Sequence, residues 1–352
     1  MILGLAQSFP PDSTERELPD VASARALVVS ERPDVIELLA ARRERLLSNF
    51  GLVLADELGR CEDALTLGIA RFGRRHGSWG LDYHHYHNEN HALEILDSRI
   101  GRMMDDVGLD ALPGPDWLVL SLFSACHDLR QREHVDFRHP IGNNEAASAA
   151  EAFRILDLAG YERRRDHAQY LALELMIAGS TFDARPAPPH VPFNSAEVAA
   201  SGGALASKLP QILDAELPGW REDDETVRAL RLALVASDLD TANVGEPFVW
   251  LAESASRLCQ EREMLAGRAL DDAASGQPCL GFLSNGQERY FFDLHRFCSE
   301  LGEGVFGRGK SANAARVRAV SASLRQRFDG AEAQRASGAA VLETFARLSL
   351  QD

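Results

Sequence analysis

The sequence predicts an all-α protein, and two observations support this. Apolar residues recur at three- and four-residue steps, as in Val35, Leu38, Leu39 and Leu46, which is the spacing of one buried helix face. The alternation of apolar and polar residues that marks a half-buried strand is scarce. Hydrophobic residues make up 45% and charged residues 26% of the 352 residues, close to globular averages, so the chain has ample core for one large domain or two smaller ones.

The predicted elements follow in order along the chain. The first 30 residues, rich in proline, serine and acidic residues, are expected to form a loosely ordered arm. Helices are predicted over 35–47, 146–158, 170–177 and 225–239, with an irregular surface segment over 183–210 where prolines and glycines cluster. We therefore expect an arm over 1–30, a compact domain over 31–300, and a glycine-rich loop with C-terminal helices over 301–352 that pack on the same domain.

The net charge restricts the partners of this chain. With 53 acidic and 37 basic residues the formal charge is −16, which repels a nucleic-acid backbone, so no polymeric DNA or RNA partner is expected. No apolar run is long enough to span a bilayer, and the short apolar start lacks the basic residues of a secretory signal. The five cysteines are scattered without a Cys-x-x-Cys pair. These features favour a cytoplasmic protein with reduced thiols and no membrane partner; a small phosphorylated substrate and a homo-oligomer are compatible with them.

Two histidine motifs predict a metal site. His87 and His91 are four residues apart, so on an α-helix they project from one face, where one can bind a cation and the other can handle a proton. His127 and Asp128 follow as an adjacent pair. Imidazole nitrogen and carboxylate oxygen together suit hydrolytic metals such as Zn²⁺, Mg²⁺ or Mn²⁺. The pattern therefore predicts a divalent metal centre.

Five fragments resemble the class I cyclic-nucleotide phosphodiesterases, within the HD superfamily of metal-dependent phosphohydrolases. They are Tyr86-His87-Asn88-x-x-His91-Ala92, Ser124-Ala125-Cys126-His127-Asp128, His139-Pro140-Ile141-Gly142-Asn143-Asn144, Ser237-Asp238-Leu239-Asp240-Thr241 and Gly281-Phe282-Leu283. The resemblance implies a compact multi-helix fold with the metal site in a helical pocket, and it makes 31–300 the catalytic domain. The fragment Asn144-Glu145-x-x-Ser148-Ala149 also resembles bacterial HD phosphohydrolases of unassigned substrate.

The resemblance also implies the metal ligands, which are His91, His127, Asp128 and Asp238. Asp128 would bridge to a second metal, so that two divalent ions, Zn, Mg or Mn, hold a hydroxide between them as the nucleophile. His87 is not a ligand in the family and is implied to be the general acid. Asp240 lies two positions after Asp238, and helix geometry leaves either one as the last ligand.

Three further positions are implied to contact the substrate. His139 and Asn144 shape the substrate loop or contact phosphate, and Phe282 clamps a purine ring. Cys279 stands where the family has the glutamine that reads the base, and the segment between Asp128 and His139 is longer than its counterpart in the family. The resemblance therefore defines the reaction better than the substrate.

The first expected function is hydrolysis of a 3′,5′-cyclic nucleotide to its 5′-monophosphate. The alternative is an HD nucleotidase or phosphomonoesterase whose pocket never reads a purine. Oxidative chemistry at paired irons is a third hypothesis, which requires extra histidine ligands; His139, His167 and His190 are candidates but lack the usual clustered spacing. An intact set of ligands disfavours a non-catalytic sensor.

A rival motif lies near the C-terminus, where Gly304 to Ser311 matches the phosphate-binding pattern G-x-x-x-x-G-K-[ST]. That pattern binds phosphate where a buried strand leads into the loop and a helix follows it. Here the preceding segment, 290–301, repeats apolar residues at helical spacing instead. The sequence therefore predicts a glycine-rich loop between two helices and disfavours a nucleotide triphosphatase.

Overall fold

The computed structural model describes residues 9–133, 140–183, 203–330 and 335–351. Within these ranges the chain is predominantly helical, and its strands are the two-residue segments Phe182–Asp183 and Gly203–Ala204, which pair as a small sheet. The predicted all-α class is confirmed.

The chain divides into two compact units. The first comprises residues up to Tyr83, His87–Thr181 and Ala204–Asp240, and the second comprises His84–Tyr86, Phe182–Gly203 and Thr241 onward.

The described residues of the first unit are mainly helical. Its helices are Ser13–Glu17, Val21–Glu31, Pro33–Phe50, Ala55–His76, Glu89–Leu93, Ile100–Val107, Gly114–Cys126, Asn143–Leu158, His167–Ser180, Leu209–Glu216 and Asp224–Asp240. A π-helical segment, Glu94–Arg99, joins Glu89–Leu93 to Ile100–Val107. Local signals set several boundaries: Asp20 caps Val21–Glu31, Pro33 opens the next helix, and Gly51 ends it at a φ of 76°.

Helix Gly114–Cys126 forms the centre of the first unit. All of its residues except Pro115 are buried, and each large apolar side chain buried in this way stabilises the fold by roughly 1.5–3 kcal/mol. The helix packs against Ala55–His76 and His167–Ser180, and the latter packs along Asp224–Asp240. The doublet His127-Asp128 directly follows the central helix, so the core fixes the position of these two side chains.

Residues 9–30 do not form the loosely ordered arm that their composition predicts; the first eight residues lie outside the described part of the chain. Two helices form there, and Ala24 and Val28 are fully buried. Glu15, also buried, accepts two hydrogen bonds from Arg154 and one from Arg71. The carboxylate of Glu15 is therefore paired inside the fold, where removing one partner of a buried ion pair costs about 3–5 kcal/mol.

The second unit has an apolar core of its own. Its helices are Phe248–Leu265, Ala273–Gly281, Gln287–Arg289, Glu300–Arg327 and Gly338–Ser349, with π-helical segments at Phe282–Gly286 and Tyr290–Leu294. Phe248, Leu283, Phe291, Leu324 and Phe345 are buried together in one cluster. Burial of these side chains holds the helices of this unit to each other.

The segment Gly304–Ser311 is helical rather than the predicted loop. It lies inside helix Glu300–Arg327, where backbone amides are engaged within the helix and cannot converge on a phosphate. A Cβ atom on Gly309 would lie 2.0 Å from the carbonyl oxygen of Gly245. Glycine at this position therefore allows the helix to approach the turn Ala242–Gly245 closely.

The described C-terminal helices belong to the second unit, together with the elements from Thr241 onward. The predicted domain over 31–300, with 301–352 packed on it, stays a prediction. The segment 183–210 is described on its C-terminal side from residue 203, where a short turn leads into Leu209–Glu216. No helix among the described residues is long and apolar enough to cross a membrane.

Candidate metal centre

Helix Glu89–Leu93 places His91 in the core. Asn88 caps the helix, because its side chain accepts a hydrogen bond from the Asn90 amide at 2.9 Å, and the His91 ring has no exposed surface. His87 precedes the cap, so the two histidines do not share a helix face as their spacing predicts. Their rings still come together through the bend over residues 85–88, with centroids 6.1 Å apart.

The end of helix Gly114–Cys126 orients His127. Its Nδ1 lies 3.2 Å from the carbonyl oxygen of Phe123, and the two rings stack with centroids 4.5 Å apart. A carbonyl oxygen only accepts hydrogen bonds, so this contact fixes a proton on Nδ1 and turns Nε2 inward. His127 Nε2 is 2.9 Å from Asp128 Oδ2. The doublet thus presents one nitrogen and one oxygen to the same point.

Asp240 completes the cluster, and Asp238 does not belong to it. Asp240 Oδ1 is 3.1 Å from His91 Nε2 and 3.4 Å from His127 Nε2. One donor atom from each of His91, His127, Asp128 and Asp240 lies within 4.8 Å of the others. Asp238 is fully buried two residues earlier, about 200° around the helix axis. The structure therefore places Asp240, and not the predicted Asp238, beside the two histidines, because the packing of Asp224–Asp240 turns this face to them. That the cluster binds a metal stays a prediction.

The four donors suit a divalent cation. Two imidazole nitrogens and two carboxylate oxygens are a mixed set that Zn²⁺, Mn²⁺ and related metals accept. Burial lowers the pKa of His127, but Asp128 and Asp240 outweigh burial and raise it to about 10. Burial likewise raises the pKa of Asp240, but hydrogen bonds from His127 and His91 hold it well below its usual range. The cluster therefore attracts positive charge, which a cation would supply.

His87 lies beside the four donors without being one of them. Its Nε2 is 3.9 Å from Asp128 Oδ2, and its side chain is 24% exposed, whereas that of His91 is fully buried. Solvent and a bound molecule can therefore reach His87. An accessible imidazole beside the cluster is placed to exchange a proton, and its role as general acid stays a prediction.

Asn144 is connected to the cluster through the side chain of Gln131. It stands near the start of helix Asn143–Leu158, where its Nδ2 donates to Gln131 Oε1 at 3.4 Å and its Oδ1 accepts from Glu133 N at 3.0 Å. Gln131 Nε2 in turn donates to Asp128 Oδ1 at 2.9 Å. Gln131 was not predicted; its sequence signal is an amide side chain three residues after the His-Asp doublet. His139 lies outside the described residues.

Two further groups near the cluster were not predicted. Burial raises the pKa of Glu145 to about 7, and the nearby charge of Asp128 adds to the rise. The guanidinium of Arg99, with 1% exposure, donates to the carbonyl oxygens of Leu239 and Asp240 at 2.9 and 2.5 Å. The sequence holds no local signal for Arg99, because the neighbouring residues Asp97, Ser98 and Arg102 are also polar.

Phe282 and Cys279 belong to the second unit. Phe282 is partly buried, and the guanidinium carbon of Arg262 lies 4.3 Å from its ring centroid. Cys279 is fully buried, and a Cβ atom on Gly338 would lie 2.8 Å from its sulfur. Helix Gly338–Ser349 therefore closes over the thiol. The purine-clamping role of Phe282 stays a prediction.

The described part of the chain brings no extra histidine into the cluster of His91, His127, Asp128 and Asp240. His167 lies at the start of helix His167–Ser180, where its side chain is 56% exposed and its Nδ1 is 3.0 Å from Glu225 Oε2. His139 and His190 lie outside the described residues. His167 is therefore not a candidate ligand for a paired-iron site.

Comparison with known proteins finds similarity among solved structures. No family model matches this chain, and no curated protein matches it. The chain is similar to the phosphodiesterase domain of rhodopsin phosphodiesterase from Salpingoeca rosetta, with 14% identity, a TM-score of 0.49, and coverage of 82% of this chain and 89% of that one. It is also similar to the phosphodiesterase domain of the RhoPDE fusion protein from the same choanoflagellate, with 15% identity, a TM-score of 0.49, and coverage of 82% and 93%. Neither similarity assigns a role to a residue of this chain.

Proposed function

We propose that this protein is a metal-dependent phosphohydrolase that converts a 3′,5′-cyclic nucleotide to its 5′-monophosphate. The observation that supports the proposal is the convergence of His91, His127, Asp128 and Asp240, whose donor atoms lie within 4.8 Å of one another in the first unit. The set contains no thiolate, and mixed nitrogen and oxygen ligation favours hydrolytic metals. The cyclic-nucleotide substrate is the part of the proposal that depends on the motif resemblance.

The four donors would hold the cation, and the groups around them orient each donor. Divalent cations bound there lower the pKa of water toward neutrality and cancel charge on phosphoryl oxygens. The Phe123 carbonyl keeps Nε2 of His127 turned toward the other donors. Asp240 Oδ1, within 3.4 Å of both imidazoles, holds the two rings in a common orientation.

His87 supplies the proton that the leaving oxygen needs. In the hydrolysis, oxygen from water bonds to phosphorus, the P–O bond to the sugar breaks, and the departing oxygen takes a proton. Imidazole can donate that proton near neutral pH. The His87 side chain is partly exposed next to Asp128, so it can reach a phosphoester without giving up a ligand position.

A second candidate is a phosphomonoesterase that does not read a purine. One face of the Phe282 ring is covered by the Arg262 guanidinium, so a purine that stacks on that face must displace it. Cys279 is fully buried and cannot contact a base. Both observations favour a substrate whose base is not recognised by these two side chains.

The test is an activity panel on the purified full chain. Protein stripped with a chelator and reloaded with Mn²⁺, Mg²⁺ or Zn²⁺ is assayed against cyclic AMP, cyclic GMP, nucleoside monophosphates and bis(p-nitrophenyl) phosphate. We expect metal-dependent release of a 5′-monophosphate from a cyclic nucleotide, lost in His91→Ala and retained in His167→Ala, an exposed histidine outside the cluster. Hydrolysis of monophosphates alone would support the second candidate. Absence of hydrolysis with all three metals would falsify the proposal.

A further inference from the structure

We propose that Gln131 is a positioning residue that fixes the carboxylate of Asp128 in the metal centre. The inference rests on the proposed function only in that it requires the metal to bind at the four donors. Gln131 lies in the segment that follows the His-Asp doublet, and its side chain is partly buried.

The two oxygens of Asp128 face different neighbours. Oδ2 faces the histidines, at 2.9 Å from His127 Nε2, 3.7 Å from His91 Nε2 and 3.9 Å from His87 Nε2. Oδ1 accepts a hydrogen bond from Gln131 Nε2 at 2.9 Å. Rotation of the carboxylate away from the histidines would break this bond, so Gln131 keeps Oδ2 as the oxygen presented to the cation.

The direction of the Gln131 amide is determined by a chain of donors and acceptors. The backbone N–H of Glu133 can only donate, so the Asn144 atom that it meets at 3.0 Å must be the oxygen. The Asn144 nitrogen then faces the Gln131 oxygen at 3.4 Å, which leaves the Gln131 nitrogen to face Asp128. A backbone group thus sets the polarity of both amides.

The segment that carries Gln131 is held on its other side by buried groups. The backbone N–H of Arg130 donates a hydrogen bond to the hydroxyl of the fully buried Ser148 at 3.0 Å. The Arg130 guanidinium lies 3.7 Å from Glu15 and 4.0 Å from Glu151. Gln131 therefore approaches Asp128 from a fixed backbone, as an orienting group must.

The same bond limits how Asp128 can bind metal. A cation held through Oδ2 would leave the bond from Gln131 to Oδ1 in place. A ligand that takes Oδ1 would instead displace the Gln131 amide.

The test is metal affinity measured on the full chain without substrate. Mn²⁺ and Zn²⁺ are titrated into chelator-stripped wild type and Gln131→Met, which keeps the side-chain length and removes the donor. We expect the affinity for either metal to fall by about 10–100-fold, the usual effect of losing an orienting partner. The melting temperature of the metal-free protein should remain unchanged, because the bond joins partly exposed side chains. Gln169→Met is the matched control, since Gln169 also donates to a carboxylate of the first unit, that of Glu57 at 2.7 Å.

A second variant tests the direction of the hydrogen bonds from Glu133 to Asp128. It also keeps the inference testable if Gln131→Met does not fold. Asn144→Asp still accepts from Glu133 N, but its other oxygen can no longer donate to Gln131, so the Gln131 amide should turn over and lose its bond to Asp128. We expect weaker metal binding in this variant as well. Wild-type affinity in both variants would overturn the role of Gln131, and so would wild type that binds neither metal. If metal binds and Gln131→Met weakens it while no phosphoester is hydrolysed, the proposed function fails and the inference stands.

Discussion

The buried guanidinium of Arg99 donates a hydrogen bond to the backbone carbonyl oxygen of Asp240 at 2.5 Å, and it also bonds the carbonyl oxygen of Leu239. Asp240 is the last residue of its helix, where carbonyl groups lack partners within the helix and favour a cation. Arg99 ends the π-helical segment that follows the helix of His91. One side chain therefore joins the segment after one candidate ligand to the backbone of another.

Replacement of Arg99 should destabilise the first unit and weaken metal binding. In Arg99→Met the carbonyl oxygens of Leu239 and Asp240 lose this charged donor, which we expect to lower the free energy of unfolding by about 2–4 kcal/mol. Urea denaturation and Mn²⁺ titration measure the two effects. Arg102→Met is the control, because Arg102 pairs with Asp106 at the surface, where such pairs contribute about 0–1 kcal/mol. Equal stability of Arg99→Met and Arg102→Met would contradict this prediction.

The two aspartates at the end of helix Asp224–Asp240 should differ in their effect on metal affinity. Asp240→Asn removes a charged donor within 3.4 Å of both histidines, so tight binding of Mn²⁺ should be lost. Asp238→Asn changes a buried residue outside the four donors and should leave the affinity of the folded protein unchanged. Isothermal titration of both variants makes the comparison. Loss of binding in Asp238→Asn alone would restore Asp238 as the ligand.

His87→Ala should separate catalysis from metal binding. A general acid contributes about 10²–10⁴-fold to turnover, so kcat should fall by that factor while metal content stays at the wild-type level. His91→Ala should lose both metal and activity, because His91 is one of the four donors.

The leaving group provides a sharper test of His87. A p-nitrophenolate leaves without needing a proton, so bis(p-nitrophenyl) phosphate should be hydrolysed by His87→Ala with a much smaller loss of kcat than a cyclic nucleotide. Equal losses on the two substrates would assign His87 a role other than proton donation.

Acidification should destabilise the second unit through His295. This histidine is 2% exposed, its Nδ1 accepts from Lys310 Nζ at 3.0 Å, and its Nε2 lies 3.2 Å from Thr241 Oγ1. Burial, followed by the charges of Lys310 and Arg296, lowers its pKa to about 3. An unfolded histidine has a pKa of about 6.5, so between these values the unfolded state binds the extra proton. Lowering the pH therefore decreases the free energy of unfolding. The contribution of this group is at most about 1.4 kcal/mol per pH unit.

Urea denaturation between about pH 7 and pH 4 measures this dependence. His295→Gln keeps hydrogen-bonding groups but does not titrate, so its stability should fall less steeply with pH than that of wild type. His167→Gln is the matched control, since it makes the same replacement at a histidine whose side chain is 56% exposed. If the free energy of unfolding of His295→Gln changed with pH as steeply as that of wild type, His295 would not be the source of the pH dependence.

Much of the site could be predicted because its signals are local. The doublet His127-Asp128 is adjacent in the chain, and the capped turn around Asn88 brings His87 close to His91 even though they do not share a helix. The prediction that His87 and His91 share a helix face was wrong, because the helix begins at Glu89, after His87. The N-terminal arm was misjudged for a related reason: its charges have partners, such as Arg71 and Arg154, that lie far along the chain.

The sequence by itself determined the helical class, the kinds of donor atom available and the order in which the motifs occur, because periodicity and neighbouring residues encode these properties. Only the tertiary structure decided that Asp240 joins the cluster instead of Asp238, that Gln131 holds Asp128, and that Arg99 binds the end of Asp224–Asp240. Each of these depends on the rotation of a helix about its axis or on a hydrogen bond between distant segments. Packing of the core fixes both, and no local pattern of residues records them.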